Sequence, residues 1–215
     1  MRIIVTCGPS YEPIDGARRI TNFSTGRLGI FLSNHFATLG WDVLCLKGEQ
    51  ATCTDPLKGP ELKAFSTNDN LAEILQQESV KGPVDAVFHA SALCDFRVDH
   101  VETASGERIE SAKFPSRVDG LRLILAPAAK VLPRLRGWFP HAFIAGWKYE
   151  LVGNRQDALA KGWQQIHDAK TNACVVNGAA YGEGFGICQG TNKVEHIANL
   201  PLLATSLATQ LEVGR

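Results

Sequence analysis

The chain has 215 residues, of which 45% are hydrophobic and 20% charged, with 22 Lys and Arg balanced by 22 Asp and Glu. It is long enough to bury a core, and its composition excludes a disordered or fibrous protein. Without net charge no overall positive field draws nucleic acid or an anionic membrane to it, so any ligand must be recognised locally.

In chain order, the run at 3–6 predicts a first strand that leads into Gly8-Pro9-Ser10-Tyr11-Glu12. Leu28, Phe31, Leu32, His35, Phe36 and Leu39 then recur at helical spacing, so a helix starting near Gly26 and stopping at Gly40 is expected. A strand at 42–46, a weaker one near 62–65, a helix at 68–79 with a capping Asn68, and a strand at 86–89 follow. The polar stretch 95–118 does not fit this alternation. A helix over 128–136 is expected, with Pro127 at its start and Pro133 kinking or shortening it. A strand at 141–147, a helix at 154–168, a strand at 173–176, a glycine-rich stretch at 181–193 and a last helix at 202–211 complete the chain.

Strands alternating with helices predict an α/β, Rossmann-like three-layer sandwich, with a mainly parallel sheet and helices on both faces. The stretches 95–118 and 181–193 are expected as loops or hairpins beyond the main sheet, and residues 1–215 as one domain. The six cysteines form no C-x-x-C pair, which favours reduced thiols in a cytoplasmic protein, with Cys7, Cys45 and Cys174 as small buried hydrophobes. The first apolar run is too short for a secretory signal, and none reaches the roughly 18–20 residues that span a bilayer. Neither nucleic acid nor membrane is expected as a partner.

The turn after the first strand lacks the G-x-G-x-x-G fingerprint, which weakens a simple dehydrogenase reading. Small polar residues gather instead in Thr21-Asn22-Phe23-Ser24-Thr25-Gly26, just before a helix and flanked by Arg18, Arg19 and Arg27. Free N–H groups and the positive end of the helix dipole suit a phosphate there; the plainer alternative is that Ser24 or Thr25 caps the helix. Asp95, past a strand end, suits either a ribose hydroxyl or a turn. His89 fits a packed core histidine better than a catalyst. Trp147 suits base stacking or the core, and Lys148 a phosphate, a carboxylate or solvent. Lys113 is unremarkable on local grounds. No nucleophile elbow, metal-ligand cluster or complete P-loop is present.

The order of V-T-C-G-P-S-Y-E-P-I-D, R-R-I-T-N-F-S-T-G-R-L-G, H-A-S-A-L-C-D-F-R and A-G-W-K-Y-E resembles the phosphopantothenoylcysteine synthetase family of coenzyme A biosynthesis. The most specific part is Asp15 followed by Ile20-Thr21-Asn22-x-Ser24-x-Gly26-x-x-Gly29, similar to D-P-V-R-x-I-S-N-x-S-S-G-K-x-G. The resemblance implies a ligase that activates the carboxylate of 4′-phosphopantothenate with CTP or ATP, forming an acyl-nucleotide and pyrophosphate, before cysteine attacks. It implies that Asn22 is catalytic, its amide donating to developing negative charge, and that Arg18, Asn22 and Lys148 bind substrate. Gly8, Ser10, Ser24, Thr25, Gly26, Asp95, Lys113, Pro127, Trp147 and Lys161 would bind the nucleotide. Lys113 stands in Ala112-Lys113-Phe114-Pro115-Ser116, and Asn177 resembles the family's A-N-D turn. Magnesium is implied on the phosphates, without a dedicated protein cage. A homodimer is implied too, with 95–118 as an arm, and neither flavin nor decarboxylation is expected.

Departures from the family pattern fall at Gln165 and Ala128, where a lysine and an aspartate are expected, and at Trp147, where phenylalanine is expected. They leave the preferred base open. The alternatives are an NADP-dependent reductase, favoured by Lys47 after the second strand, and a non-catalytic nucleotide-binding module.

Overall fold

The computed structural model describes residues 1–114, 117, 120–190 and 193–213. The chain runs through β1 (Arg2–Cys7), a small hairpin of β2 (Tyr11–Pro13) and β3 (Arg19–Thr21), α1 (Arg27–Thr38), β4 (Asp42–Gly48), β5 (Glu61–Phe65), α2 (Asn68–Ser79) and β6 (Ala86–His89). It continues through β7 (Phe96–Thr103), β8 (Leu121–Pro127), α3 (Leu132–Trp138), β9 (Phe143–Tyr149), α4 (Arg155–Ala169), β10 (Ala173–Asn177), β11 (Phe185–Gln189), β12 (Lys193–Ile197) and α5 (Leu200–Val213). The main sheet has the order β12-β11-β10-β9-β6-β1-β4-β5. Strands from β5 to β10 are parallel, and β11 and β12 are antiparallel. From the central β1 the chain winds outward to β5 and returns on the other side as β6, so the order reverses between β1 and β6. That reversal opens a crevice at the carboxyl ends of these strands.

Ile3, Ile4 and Val5 are wholly buried, as a parallel strand covered on both faces requires. Ile3, Val5, Phe88 and Ala145 pack with Leu32 and Phe36 of α1 and with Leu203 and Leu207 of α5. Ile4, Val87 and Ile144 face the opposite way, toward Leu71 and Leu75 of α2 and Leu135 of α3. The helix α4 covers Cys174, Val176 and Cys188 on that second face. Local signals set the helix starts. Thr67, not the expected Asn68, caps α2, its Oγ1 accepting from Asn70 N–H at 3.2 Å, and Asn154 and Asp157 close a capping box on α4.

Several expectations are corrected. The helix expected at 128–136 begins at Leu132, and Pro127 ends β8 instead of opening the helix. Pro133 lies in the first turn of α3, where its missing N–H costs no helical hydrogen bond, so it starts the helix and does not kink it. The strand expected at 141–147 lies two residues later, at Phe143–Tyr149. The stretch 181–193 is not beyond the main sheet, because β11 joins it with Gly186, Ile187 and Cys188 buried. Its glycine serves close packing: a Cβ at Gly186 would lie 2.6 Å from Tyr181 Cε2. The stretch 95–118 does form an excursion. There β7 pairs with β8 in a separate ribbon; Pro115, Ser116 and Val118 lie outside the described residues. Cys7, Cys45 and Cys174 are buried as expected.

Two contacts yield tests of the fold. A Cβ at Gly29 would sit 2.2 Å from Cys7 Cβ, so α1 lies directly on β1. In Gly29→Ala the better helix propensity, about 1 kcal/mol, is outweighed by overpacking of about 2–3 kcal/mol, and urea denaturation should show a net loss. At the amino end of the sheet Glu78, its side chain 4% exposed, accepts from Arg2 at 2.8 Å, Lys81 at 2.7 Å and Lys63 at 3.1 Å. Burial pushes its pKa up, but Lys81 and Lys63 outweigh burial and hold it below the ordinary 4.5. Its contribution is therefore present above about pH 4.5 and lost as the pH falls through the lower folded value. Glu78→Gln should cost about 1–3 kcal/mol at neutral pH, and the difference from the parent should vanish in acid denaturation profiles.

Candidate functional site

At the carboxyl end of β1 three turns meet with almost no side-chain thickness between them. Gly8 has φ 76° and Gly26 φ 79°, a conformation that favours glycine. A Cβ on either would press on Ala51 Cβ, at 2.7 Å from Gly8 and 3.1 Å from Gly26. Gly26 itself is the N-cap of α1, and no side chain caps the helix by a hydrogen bond. Thr25 Oγ1 accepts only from Arg27 N–H at 3.3 Å, so of the two sequence alternatives, capping by Ser24 or Thr25 is the weaker. Thr25 O is fixed by Cys53 N–H at 2.9 Å. Lys47, the residue that favoured an NADP site, donates its ammonium to Cys53 O at 3.1 Å.

The β2–β3 hairpin is stitched to the segment that carries Lys113. Asp15 accepts from the N–H groups of Ala17 and Arg18 at 2.8 Å and of Phe114 at 3.1 Å, and pairs with Arg18. Burial pushes the Asp15 pKa up, but these donors and the guanidinium outweigh it and hold the carboxyl below its ordinary value. Arg18 Nη2 also donates to Phe114 O at 2.7 Å, so in this state the guanidinium braces the hairpin. Asn22 is exposed, and its Nδ2 donates to Ala92 O at 3.1 Å and Leu93 O at 2.9 Å. Both amide hydrogens are thus engaged, and the carbonyl Oδ1 remains available. Ser10 is wholly buried, and its hydroxyl accepts from Cys94 N–H at 2.8 Å, so it braces the same loop.

On the far side of that loop, over the ends of β6 and β9 and against α4, lies a cavity of about 440 Å³. Asp95, Trp147, Lys148 and Lys161 all line it, as do Lys130 and Gln165. Asp95 is paired with Lys130 at the mouth. Glu150 accepts from Lys148 at 3.3 Å and from Lys161 at 2.5 Å. Burial opposes its ionisation, but the two lysines outweigh burial and keep the carboxyl below its ordinary pKa. The indole of Trp147 packs against the core cluster on the α1 and α5 face, while Gly146 meets Gln165 and Leu132 on the opposite face. Gln165 Nε2 donates to Cys174 Sγ at 3.1 Å.

The sequence-predicted residues therefore fall into two neighbouring groups. Gly8, Ser24, Thr25, Gly26, Arg18 and Asn22 belong to the loops at the end of β1 and to the hairpin, Lys113 to the segment between β7 and β8 that is bonded to that hairpin, and Asp95, Trp147, Lys148 and Lys161 to the cavity wall. Pro127 is exposed at the end of β8 and does not line the cavity. Residues missed include Glu150, Lys130 and Asn68. The two-residue spacing of Lys148 and Glu150, which places both on one side of an extended chain, is a signal that would have found Glu150. His89 also lines the cavity; it is buried, and burial lowers its pKa to about 4, so the ring is neutral. Among the described residues no three His, Cys, Asp or Glu side chains gather to hold a metal, and no helix is long and apolar enough to cross a membrane.

Residues 1–203 match the family model of the DNA/pantothenate metabolism flavoprotein C-terminal domain. The coenzyme A biosynthesis bifunctional protein CoaBC of Mycobacterium tuberculosis is 28% identical over 187 residues, 86% of this chain and 44% of that protein. CoaBC of Thermococcus kodakarensis is 26% identical over 176 residues, 82% of this chain and 41% of that protein. The chain thus spans less than half the length of these relatives. The crystal structure of the DNA/pantothenate metabolism flavoprotein from Streptococcus pneumoniae superposes with a TM-score of 0.88 at 17% identity, covering 100% of both chains. A mutant of Cab2 in complex with phosphopantothenate-cysteine gives 0.75 at 16% identity, over 98% of this chain and 86% of that one. These two structures share the fold. Matched by the family model over nearly its whole length, the chain belongs to the DNA/pantothenate metabolism flavoprotein C-terminal domain family, the phosphopantothenoylcysteine synthetase domain that its motifs resemble.

Proposed function

We propose that this chain is a phosphopantothenate–cysteine ligase that works through an acyl-nucleotide made from CTP or ATP. The observation that carries this reading is the convergence, at one end of the sheet, of the uncapped amino terminus of α1, the exposed Asn22 and a lysine-lined cavity. Relatives named for coenzyme A biosynthesis, and a fold neighbour crystallised with phosphopantothenate-cysteine, support the choice of substrates.

Two displacements make up the reaction. A carboxylate oxygen of 4′-phosphopantothenate attacks the α-phosphorus and pyrophosphate leaves; the cysteine nitrogen then attacks the acyl carbon and nucleoside monophosphate leaves. The first-turn N–H groups of α1 bind phosphate, and glycine at 8 and 26 lets it come close to the backbone. Ser24 and Thr25, just before Gly26, border that position; Lys113, on the segment bound to the hairpin, is assigned to the nucleotide by the family resemblance, while Ser10 holds the loop. Lys130, Lys148 and Lys161 exchange their carboxylate partners for phosphate oxygens, and Asp95, once released, accepts from the ribose. The carboxylates keep the lysines in place beforehand, which lowers the cost of ordering them. Asn22 was expected to act as a donor, but its amide hydrogens are held by Ala92 O and Leu93 O, and the geometry favours Oδ1 as acceptor for the attacking amine. Magnesium would be carried on the triphosphate oxygens and would supply neutralisation of the charge on the leaving pyrophosphate.

Residues 1–215 act as one domain in this reading, in the cytoplasm, where six free thiols persist. The β7–β8 ribbon serves as the arm of a homodimer. Its Phe96, Leu123, Ile124 and Leu125 are all exposed, and a two-stranded ribbon is only marginally stable without further burial.

Pyrophosphate release that needs phosphopantothenate, magnesium and CTP or ATP, with amide product that needs cysteine as well, is the expected result; release without the acid, or no release, contradicts the reading. Asn22→Ala should lower amide formation about 100-fold or more while leaving triphosphate affinity within about threefold, as followed by product assay and calorimetry. Leu123→Ser with Leu125→Ser should shift the sedimentation coefficient from dimer to monomer.

A further inference from the structure

Beneath the loop that ends at Gly26, three thiols stand where β1 and β4 run out. Cys7 and Cys45 are 1% and 0% exposed, and their sulfurs lie 3.8 Å apart. Cys53, in the stretch 49–60 between β4 and β5, is the one cysteine of the six that is not buried, and with Leu57 it packs against the cluster of Cys7, Ile30 and Cys45. Two polar contacts hold its backbone: Cys53 N–H donates to Thr25 O at 2.9 Å, and Cys53 O accepts from the Lys47 ammonium at 3.1 Å. Lys47 is the register partner of Cys7 across the parallel pair β1–β4, so the ammonium that holds Cys53 rises beside Cys7. The bond to Cys45 and burial push the Cys7 thiol up, and the charge of a Cys53 thiolate pushes it further, which puts Cys53 within electrostatic reach of Cys7.

Access and thiolate character decide which cysteine an oxidant meets first. Cys53 has the access. Cys7, buried and held protonated, escapes the oxidant and is left as a second partner. The remaining Cys94, Cys174 and Cys188 are buried, and burial pushes all three thiols up, so they are inert. The three sulfurs at the end of β1 do not gather as closely as metal ligands. A bridge between Cys53 and Cys7 therefore closes only when Cys53 swings inward, and the stretch 49–60, which holds neither helix nor strand, can supply that movement.

We propose that Cys53 and Cys7 form an oxidative modification site for peroxides, and that their disulfide takes apart the loop assigned to phosphate. The effect on the loop rests on the phosphate reading of that loop; the chemistry of the thiols does not. The Cys53 sulfur takes one oxygen of hydrogen peroxide, the O–O bond breaks and water leaves, so sulfur is oxidised to a sulfenic acid and the peroxide is reduced. The Cys7 sulfur then attacks the Cys53 sulfur; the S–S bond forms, the S–O bond breaks, and the oxygen leaves as water with the proton that Cys7 gives up. As Cys53 turns inward, its N–H leaves Thr25 O and its carbonyl leaves Lys47. Thr25 precedes the N-cap of α1, so the loss loosens the loop at the helix end to which phosphate binding is assigned. A reducing thiol reverses the bridge and resets the loop.

The whole chain, reduced and then exposed to hydrogen peroxide, tests this by peptide mapping and by calorimetric titration with magnesium and CTP or ATP. The map should show a Cys7–Cys53 bridge, triphosphate affinity should fall about tenfold, as the loss of one hydrogen bond in the loop implies, and dithiothreitol should restore both. Cys53→Ser should show the same affinity before and after peroxide, and Cys7→Ala should stop at a sulfenic acid on Cys53 that dimedone traps. No bridge in the parent protein, or a bridge between other cysteines, overturns the proposal, and this arm needs no variant to fold. A Cys7–Cys53 bridge that leaves triphosphate affinity unchanged overturns the coupling to the loop. If the reduced protein binds no triphosphate, the phosphate reading falls instead, and the peptide map by itself still decides whether the modification site stands.

Discussion

Everything at the working end of this molecule depends on how closely α1 lies against β1. Gly29 leaves room for Cys7, Gly8 and Gly26 leave room for Ala51, and a methyl group at any of these glycines would meet an atom within 3.1 Å. Side chains there would lift the helix and carry its amino terminus away from the crevice. The pull that holds the contact is the burial of Leu32 and Phe36 against Ile3, Val5 and Phe88, and the glycines decide only how near the helix can come. Core packing thus sets the position of the N–H groups to which we assign phosphate binding.

The same end of the sheet divides its labour between two sides of one loop. Ala92 and Leu93 give their carbonyls to Asn22, while Ser91 and Asp95 turn toward the cavity. The loop is rigid because Ser10, Asn68 and Thr6 each fix one of its backbone groups. In the proposed reaction this rigidity matters, since the acyl group and the nucleotide must be aligned before a small amine attacks.

Strands buried on both faces, such as β1, β4, β6 and β10, were legible as apolar runs, and α1, α2 and α4 as periodic patterns with clear end signals. The hairpin β2–β3 was not, because three-residue strands rich in polar and charged residues carry no periodicity. That β11 joins the main sheet was hidden by glycines that read as a loop or hairpin beyond it, although Gly186 is small because Tyr181 lies on it. Pro127 drew the start of α3 too early, while Pro133 was the proline in the first turn. In the site, Asn22, Thr25 and Gly26 announce themselves by local chemistry. The link from Thr6 to His89 spans 83 residues and arises only because parallel pairing sets the two side by side. Sequence alone reads His89 as a core residue, and it is buried as expected, but its partner Thr6 is not legible there.

The outer margins of the sheet are formed by β12 and β5. Four of the five β12 residues are exposed, Lys193 and Glu195 among them, and β5 bears Glu61 and Lys63. Alternating charge on an open strand discourages a foreign strand from docking, since the newcomer would have to strip water from ammonium and carboxylate groups. Lateral polymerisation into ribbons or fibrils is therefore resisted at both borders, even though eight aligned strands would otherwise make a ready template for it.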